Sequence, residues 1–342
     1  MVAKGGIDTG VVTLLNIVSI FCAAMLGWFE LWIIYKRKDE MKDRSGMVPQ
    51  RVRRIIAYCM AIGAHVTILL GYGYSYDASN YPEVMCKAQA VMYTFFLTGF
   101  GAAVMVIGVY KLERQVDPLS TNPHPLMFYV IITFVWALIP TIVTGIGIYT
   151  EGTWTGGSIC GSAAEWAYIT YTEVVVATFV FASAINIIGL SIAVCRPLRG
   201  TRTLTRCQRF KLTQQWLRFT LCMLLITILL AIAWTLEEFQ RNSSGEKVAG
   251  NIESNTNTAL QIEDYAVSIL GLIMLFASDY SFFHFIRWKI CKNEDDPPFY
   301  ILPKYMHRYR MTHPSSRNSG LAGSRNSGLA TRSSGPSSYV YI

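Results

Sequence analysis

What this chain has little of is charge. Asp, Glu, Lys and Arg make up 15% of its 342 residues, and hydrophobic residues make up 52%. A soluble protein carries roughly a quarter charged residues. It also has no need of uncharged runs about twenty residues long, which a bilayer core demands. From Ala88 to Tyr110 there is no charged residue at all. Composition therefore excludes an ordinary soluble domain and points to a polytopic membrane protein. The net charge of +8 does not argue for nucleic acid, because the basic residues gather in alternate loops, as the positive-inside bias requires.

Other absences narrow the function. Of the five histidines, only His65 and His284 fall near apolar segments, and no His-x-x-x-His occurs. That excludes a membrane metal hydrolase, which needs several convergent His. The last apolar segment has no lysine before Lys289, so a retinal Schiff base has no anchor. No cleavable leader is expected, since the first apolar segment is about 21 residues long and follows a short, nearly neutral stretch. No catalytic constellation is present, and no cofactor or metal is implied.

Seven apolar segments are present, and the expected fold is an all-α, seven-helix transmembrane bundle. They lie near Val11–Tyr35, Ile55–Tyr74, Val84–Tyr110, Leu126–Tyr149, Trp166–Cys195, Trp216–Leu236 and Ile262–Ile286. Asp279 interrupts the seventh. The stretch from Cys86 to Arg114 organises the rest. It opens on a cysteine and closes on Lys111, Glu113 and Arg114. At about 1.5 Å per helical residue it reaches roughly 37 Å by Lys111, enough to cross a hydrocarbon core of about 30 Å.

Orientation follows from the basic residues. The loop after segment one and its flank hold Lys36, Arg37, Lys38, Lys42, Arg44, Arg51, Arg53 and Arg54. The loop after segment five and its flank hold Arg196, Arg199, Arg202, Arg206, Arg209, Lys211 and Arg218. The loops after segments two and four hold none. The odd loops are then cytoplasmic, with the N-terminus outside and the C-terminus inside. The sequon at Asn242 lies in the loop after segment six, on the outer side of this topology. The expected organisation is a short extracellular N-terminus (1–10), the bundle (11–290) and a cytoplasmic tail (291–342).

The tail is rich in Ser, Gly and Arg and repeats Ser-Arg-Asn-Ser-Gly-Leu-Ala at 316–322 and 324–330. Such a composition cannot bury enough apolar surface to fold and reads as disordered. Ser319 and Ser327 each follow an Arg-Asn pair, which makes them phosphorylation candidates; a solvated tail without a regulatory role is the alternative. Cys291, beside Arg287, Lys289 and Lys292, is either a palmitoylation site or an ordinary thiol.

Only Cys86 and Cys160 of the eight cysteines fall on the oxidising side. Pairing them closes a loop worth roughly 4–5 kcal/mol in the chain-entropy model, an upper figure because inserted helices already restrict the unfolded chain. The bond would pin the outer loop across the mouth of the bundle.

Seven spans, an outer N-terminus and a cysteine on helix three facing one in the second outer loop resemble the G-protein-coupled receptor superfamily over roughly residues 10–292. Trp136-Ala137-Leu138-Ile139-Pro140 looks like the tryptophan–proline region of its fourth helix, and Trp154 and Cys160 lie where the family places its loop cysteine. Other motifs depart from the rhodopsin class. The inner end of segment three reads Tyr110-Lys111-Leu112-Glu113-Arg114, segment six lacks proline, and segment seven carries Asp279-Tyr280. The pattern is nearer to the cAMP-receptor-like and secretin-like divisions. The resemblance implies a cell-surface receptor with a heterotrimeric G protein as partner, in the plasma membrane and in contact with lipid, and no nucleic acid.

Ionisable residues at membrane depth are expensive and default to functional candidates. His65 falls near mid-membrane, and Asp279 lies about 12 Å from the inner side. A switch contact of Asp279 with Lys111 or His65 is one reading; a static bridge is the other. Glu30 reads as structural, snorkelling to Lys36. The outer face is acidic, with Asp77, Glu83, Glu151, Glu165, Glu237, Glu238, Glu253, Glu263 and Asp264, and Tyr74, Tyr93, Trp154, Trp166, Tyr171, Trp234 and Tyr265 lie among them. This suggests an electronegative aromatic vestibule for a cationic or amphipathic ligand; an interfacial aromatic belt is the plainer reading. The expected ligand set is Lys87, Tyr93, Trp154, Glu173, Trp234 and Tyr265. The expected G-protein contacts are Lys111 and Arg114 at the inner end of segment three, with Arg199, Arg202, Arg206 and Arg209 in the loop Arg196–Lys211, for which setting topology and binding anionic lipid is the plainer reading. The alternative function is a small-solute transporter. Its only support is Pro49-Gln50, half of a PQ-loop signature that occurs once; Gly99 and Gly101 fit close helix packing better.

Overall fold

The computed structural model describes residues 9–36, 47–74, 83–116, 126–156, 159–195, 213–243, 262–263, 265–276 and 282. The chain separates into two compact units, Met1–Ser278 with Ile342, and Asp279–Tyr341. Every element named below belongs to the first.

The helices are α1 (Thr9–Lys36), α2 (Met47–Tyr74), α3 (Glu83–Val116), α4 (Leu126–Glu151), α5 (Glu165–Cys195), α6 (Gln214–Ser243) and α7 (Leu270–Phe276). The first six are long and apolar enough to cross a membrane, and the seventh belongs to a shorter apolar helix, Tyr265–Phe276. A two-stranded antiparallel hairpin, β1 (Thr153–Gly156) and β2 (Ile159–Ser162), separates α4 from α5.

Many of the residues turned inward are small or polar, and many large apolar ones face outward. On α4, Thr133, Ala137, Thr141, Thr144 and Gly147 are buried, whereas Phe134, Leu138, Ile142 and Ile146 are exposed. On α1, Asn16, Ser19, Ala23 and Glu30 are buried, and Leu14, Ile17, Phe21 and Leu31 are exposed. Water would punish this arrangement. In lipid, where tails are as apolar as leucine, helices associate through close backbone approach and hydrogen bonds instead.

Helix α3 is the central rod. In its most apolar stretch 72% of the residues are buried, against 22% for α4, and it packs on α2, α4, α5 and both strands of the hairpin. Gly101 makes its contact with α5 possible, because a Cβ there would lie 2.9 Å from Thr178 and 3.1 Å from Phe179. The α1–α7 approach is closer still: a Cβ on Gly271 would lie 2.2 Å from the Ser19 carbonyl oxygen.

The disulfide Cys86–Cys160 joins the start of α3 to β2. Gly152 ends α4 with φ +86°, the left-handed conformation that glycine adopts without a Cβ clash. Its N–H reaches Ile148 O and its carbonyl accepts from Ala163 N, both at 3.0 Å, so the chain enters the hairpin with its backbone satisfied. Among the described residues the other cysteines, Cys22, Cys59, Cys195 and Cys222, are free.

The Glu30 carboxylate accepts from Arg51 at 2.5 Å and Arg54 at 3.0 Å. Helix pairing brings α2 alongside, and two guanidinium groups hold the buried carboxylate; the side chain of Lys36 lies outside the described residues.

Candidate functional site

At the disulfide end a cleft opens between α5 and α6. Tyr171, Thr172, Val175 and Val176 of α5 line one wall, and Leu230, Ala233 and Trp234 of α6 line the other, with Glu263 at its head. Each wall is one helix face, since residues three and four apart stack on the same side. The cavity volume is about 20 Å³, room for about one water.

Four parts of the chain meet at Glu263. Its Oε1 accepts the Tyr93 hydroxyl of α3 at 2.9 Å and the Tyr171 hydroxyl of α5 at 3.2 Å, and Trp234 of α6 lines the same space. A carboxylate held by two phenols beside an indole attracts a cation twice over, by its charge and by the ring faces.

The expected ligand residues divide. Tyr93 is buried and bonded to Glu263, and Trp234 lines the cleft. Lys87 lies one helical turn from Glu83 and pairs with it at 2.5 Å on the rim. Glu173 is exposed on α5 and does not line the cleft, and Tyr265 is half-buried outside its lining. The side chain of Trp154 lies outside the described residues, although its backbone forms β1. Glu263 and Tyr171, both among the acidic and aromatic residues expected at the outer face, complete the site. Their convergence needs α3, α5 and the short helical stretch at 262–263 to be brought together, which no local pattern reveals.

His65 belongs to a second cluster, deep between α1, α2 and the last helix. Asn16, Ser19, His65 and Ser268 are all fully buried. Asn16 Nδ2 donates to Ser268 Oγ at 2.7 Å and to Val12 O at 2.9 Å. Its Oδ1 therefore accepts, and His65 Nδ1, 2.9 Å away, carries the proton. Ser19 Oγ donates to the Ser268 carbonyl. Buried polar groups in lipid must find partners, and here they tie three helices together.

At the opposite end, Arg53 of α2 inserts between Tyr110 of α3 and Tyr129 of α4, its guanidinium carbon 3.9 and 4.2 Å from the two ring centres. The Tyr129 hydroxyl donates to Glu113. Lys111 lies over the α6 rings, 5.0 Å from Trp216 and 5.6 Å from Phe219. Trp216 Nε1 in turn donates to Asn186 Oδ1 of α5 at 2.9 Å. Asp279, Arg199, Arg202, Arg206, Arg209, Ser319 and Ser327, and the side chains of Arg114 and Asn242, lie outside the described residues. Among those described, no group of His, Cys, Asp and Glu is placed to hold a metal ion.

No protein-family model matches the sequence, and no curated protein does. Among solved structures the chain is similar to the crystal structure of squid rhodopsin, with a TM-score of 0.53 and 10% identity, covering 84% of this chain and 87% of that one. At that identity the likeness concerns the fold: this chain is a multi-pass membrane protein with a rhodopsin-like seven-helix bundle.

Proposed function

We propose that this chain is a cell-surface receptor of the G-protein-coupled type, taking an organic cation at the disulfide end and engaging a heterotrimeric G protein at the other. The observation that carries the reading is the convergence of α3, α5, α6 and the start of the last helix on Glu263, within a bundle of rhodopsin-like fold. A ligand there touches four elements at once, so it can favour one arrangement of the helices over another.

The distribution of Lys and Arg supports an outer disulfide end and a cytoplasmic basic end in the plasma membrane. The departures at Tyr110–Arg114 and Asp279-Tyr280 support a place outside the rhodopsin division, nearer to the cAMP-receptor-like and secretin-like receptors. Lys111 is the switch element in this reading. Its ring contacts hold the inner ends of α3 and α6 together, and parting them would expose Lys111, Arg114 and the basic loop with Arg199, Arg202, Arg206 and Arg209 to the G protein. His65 fastens α1 and α2 to the last helix through Asn16 and Ser268, and a switch contact of Asp279 with Lys111 or His65 belongs to the same reading. Asn242 would be glycosylated outside, and Ser319 and Ser327 phosphorylated inside.

The test is guanine-nucleotide exchange by reconstituted protein against a panel of G proteins. Stimulated exchange with at least one, reduced in Cys86→Ala, is expected. Solute uptake into vesicles without any exchange would replace the receptor with a carrier.

A further inference from the structure

Arg53 is held in an uncomfortable place. Its Nε, Nη1 and Nη2 are all buried without a hydrogen-bond partner of good geometry, and no other described side chain leaves more than one such atom. Only 3% of the residue is exposed, and the two rings that enclose it, Tyr110 and Tyr129, are buried as well. The Glu113 carboxylate accepts the Tyr129 hydroxyl, and no hydrogen bond joins it to Arg53.

Ring faces attract a guanidinium, but they leave its N–H groups unanswered. Buried donors without acceptors, on a group that carries charge, are among the costliest features a folded chain can keep. Arg54, the next residue, shows the ordinary solution: its guanidinium reaches the Glu30 carboxylate at 3.0 Å. Arg53 lies about 9 Å along α2 from Met47 at 1.5 Å per residue, so a small parting of the basic end brings water within its reach.

The element with least to lose by such a parting is α4. In its most apolar stretch 22% of the residues are buried, the smallest share of the six long helices, whereas α3 on the other side of the cage has 72%. Tyr129 sits in the first turn of α4, four residues into Leu126–Glu151, and forms one wall of the cage.

We infer that Arg53 is a built-in bias toward opening: its buried charge is relieved when the first turn of α4 moves away from α2 and α3 and lets water reach the guanidinium. The closed bundle is then less stable than it would be with an apolar residue at this position, and the open one is correspondingly easier to populate. The inference rests on the receptor reading for its consequence, activation, while its structural half is measured without any G protein. Arg53 and Lys111 act in opposite directions, one favouring the open basic end and the other the closed one.

The experiment uses the full chain in phosphatidylcholine nanodiscs. Arg53→Met and Arg53→Leu remove the charge and keep apolar bulk between the rings. At least one should raise the thermal midpoint by about 2 °C or more. In that variant the amides of residues 126–133 should exchange with deuterium about threefold more slowly or more, since opening has become rarer. Arg53→Lys keeps the charge and should not raise the midpoint. Arg54→Met, which takes a partner from buried Glu30, should lower it. Stimulated nucleotide exchange should fall roughly threefold or more in the stabilised Arg53 variant, by the shift in population.

A midpoint raised in neither apolar variant would overturn the inference and make Arg53 a static clamp. Unslowed amide exchange in a stabilised variant, an equal rise in Arg53→Lys or Arg54→Met, or undiminished nucleotide exchange beside an active wild type would overturn it too. A stabilised variant with slowed α4 amides, in a chain that drives no nucleotide exchange in any form, would keep the opening and remove the receptor.

Discussion

The hydroxyl of Tyr93 donates to the carboxylate of Glu263 at 2.9 Å across 170 residues of sequence. This bond fixes where the last helix begins relative to the central rod. A hydrogen bond to a charged partner is worth roughly 1.5–3 kcal/mol. Tyr93→Phe and Glu263→Gln should therefore each lower the thermal midpoint of the purified protein. The double variant should lose less than the two singles together, because both remove one interaction. Strict additivity in a thermal-shift series would show the bond to be idle in the membrane.

The α1–α7 interface gives a contrast between two glycines. Gly271→Ala places a Cβ against the Ser19 backbone, which cannot move aside as a side chain can, whereas Gly145 has nothing within 4 Å. We expect Gly271→Ala to lose several kcal/mol or fail to accumulate, since overpacking typically costs about 1–3 kcal/mol and more against backbone. Gly145→Ala should be neutral or stabilising by up to about 1 kcal/mol through helix propensity. Fluorescence-detected size exclusion after heating ranks the two.

The buried cluster around Asn16 makes a third expectation. Asn16→Ala strands His65 Nδ1 and one bond of Ser268, each costing roughly 1–3 kcal/mol when buried. Asn16→Asp keeps the acceptor toward His65 but removes the donor to Ser268, so it should be less damaging only if the His65 contact dominates. Thermal midpoints of the two variants measured side by side decide this.

Lys111 provides the test of the switch. A cation–π contact of this kind is worth roughly 0.5–2 kcal/mol. If it restrains the resting bundle, Lys111→Met and Trp216→Leu should each raise ligand-free nucleotide exchange by about two- to thirtyfold, and Lys111→Arg should preserve the resting level. The double variant should resemble the singles. Unchanged basal exchange in both singles would remove Lys111 from the switch.

Much of the fold is written in the sequence because a hydrocarbon core imposes two crude demands, length and freedom from charge. Segments such as Leu126–Glu151 satisfy both without ambiguity. The seventh segment is harder to read, since Asp279 breaks its apolar run. Cys86 and Cys160 stand out as a pair because the expected topology puts the other thiols elsewhere, and the disulfide is there. Contacts made across helices are another matter. Glu30 points to Lys36 by nearness along the chain, and the pairing with Arg51 and Arg54 of α2 is not visible in that local pattern. His65 announces itself as a costly group in an apolar helix, but Asn16 and Ser268 are too common in membrane helices to be singled out. The acidic residues expected at the outer face are legible, and the choice of Glu263 from among them is not. That choice depends on which carboxylate the tyrosines of α3 and α5 can reach.

The most direct test of the central claim is ligand-dependent nucleotide exchange. Full-length protein in nanodiscs, a matched G protein and labelled guanosine triphosphate analogue are mixed with and without a small organic amine such as butylamine. The account predicts that the amine changes the exchange rate in the wild type and not in Glu263→Gln, with both proteins folded and carrying the Cys86–Cys160 bond. An exchange rate that ignores the amine, or responds equally in Glu263→Gln, would contradict it.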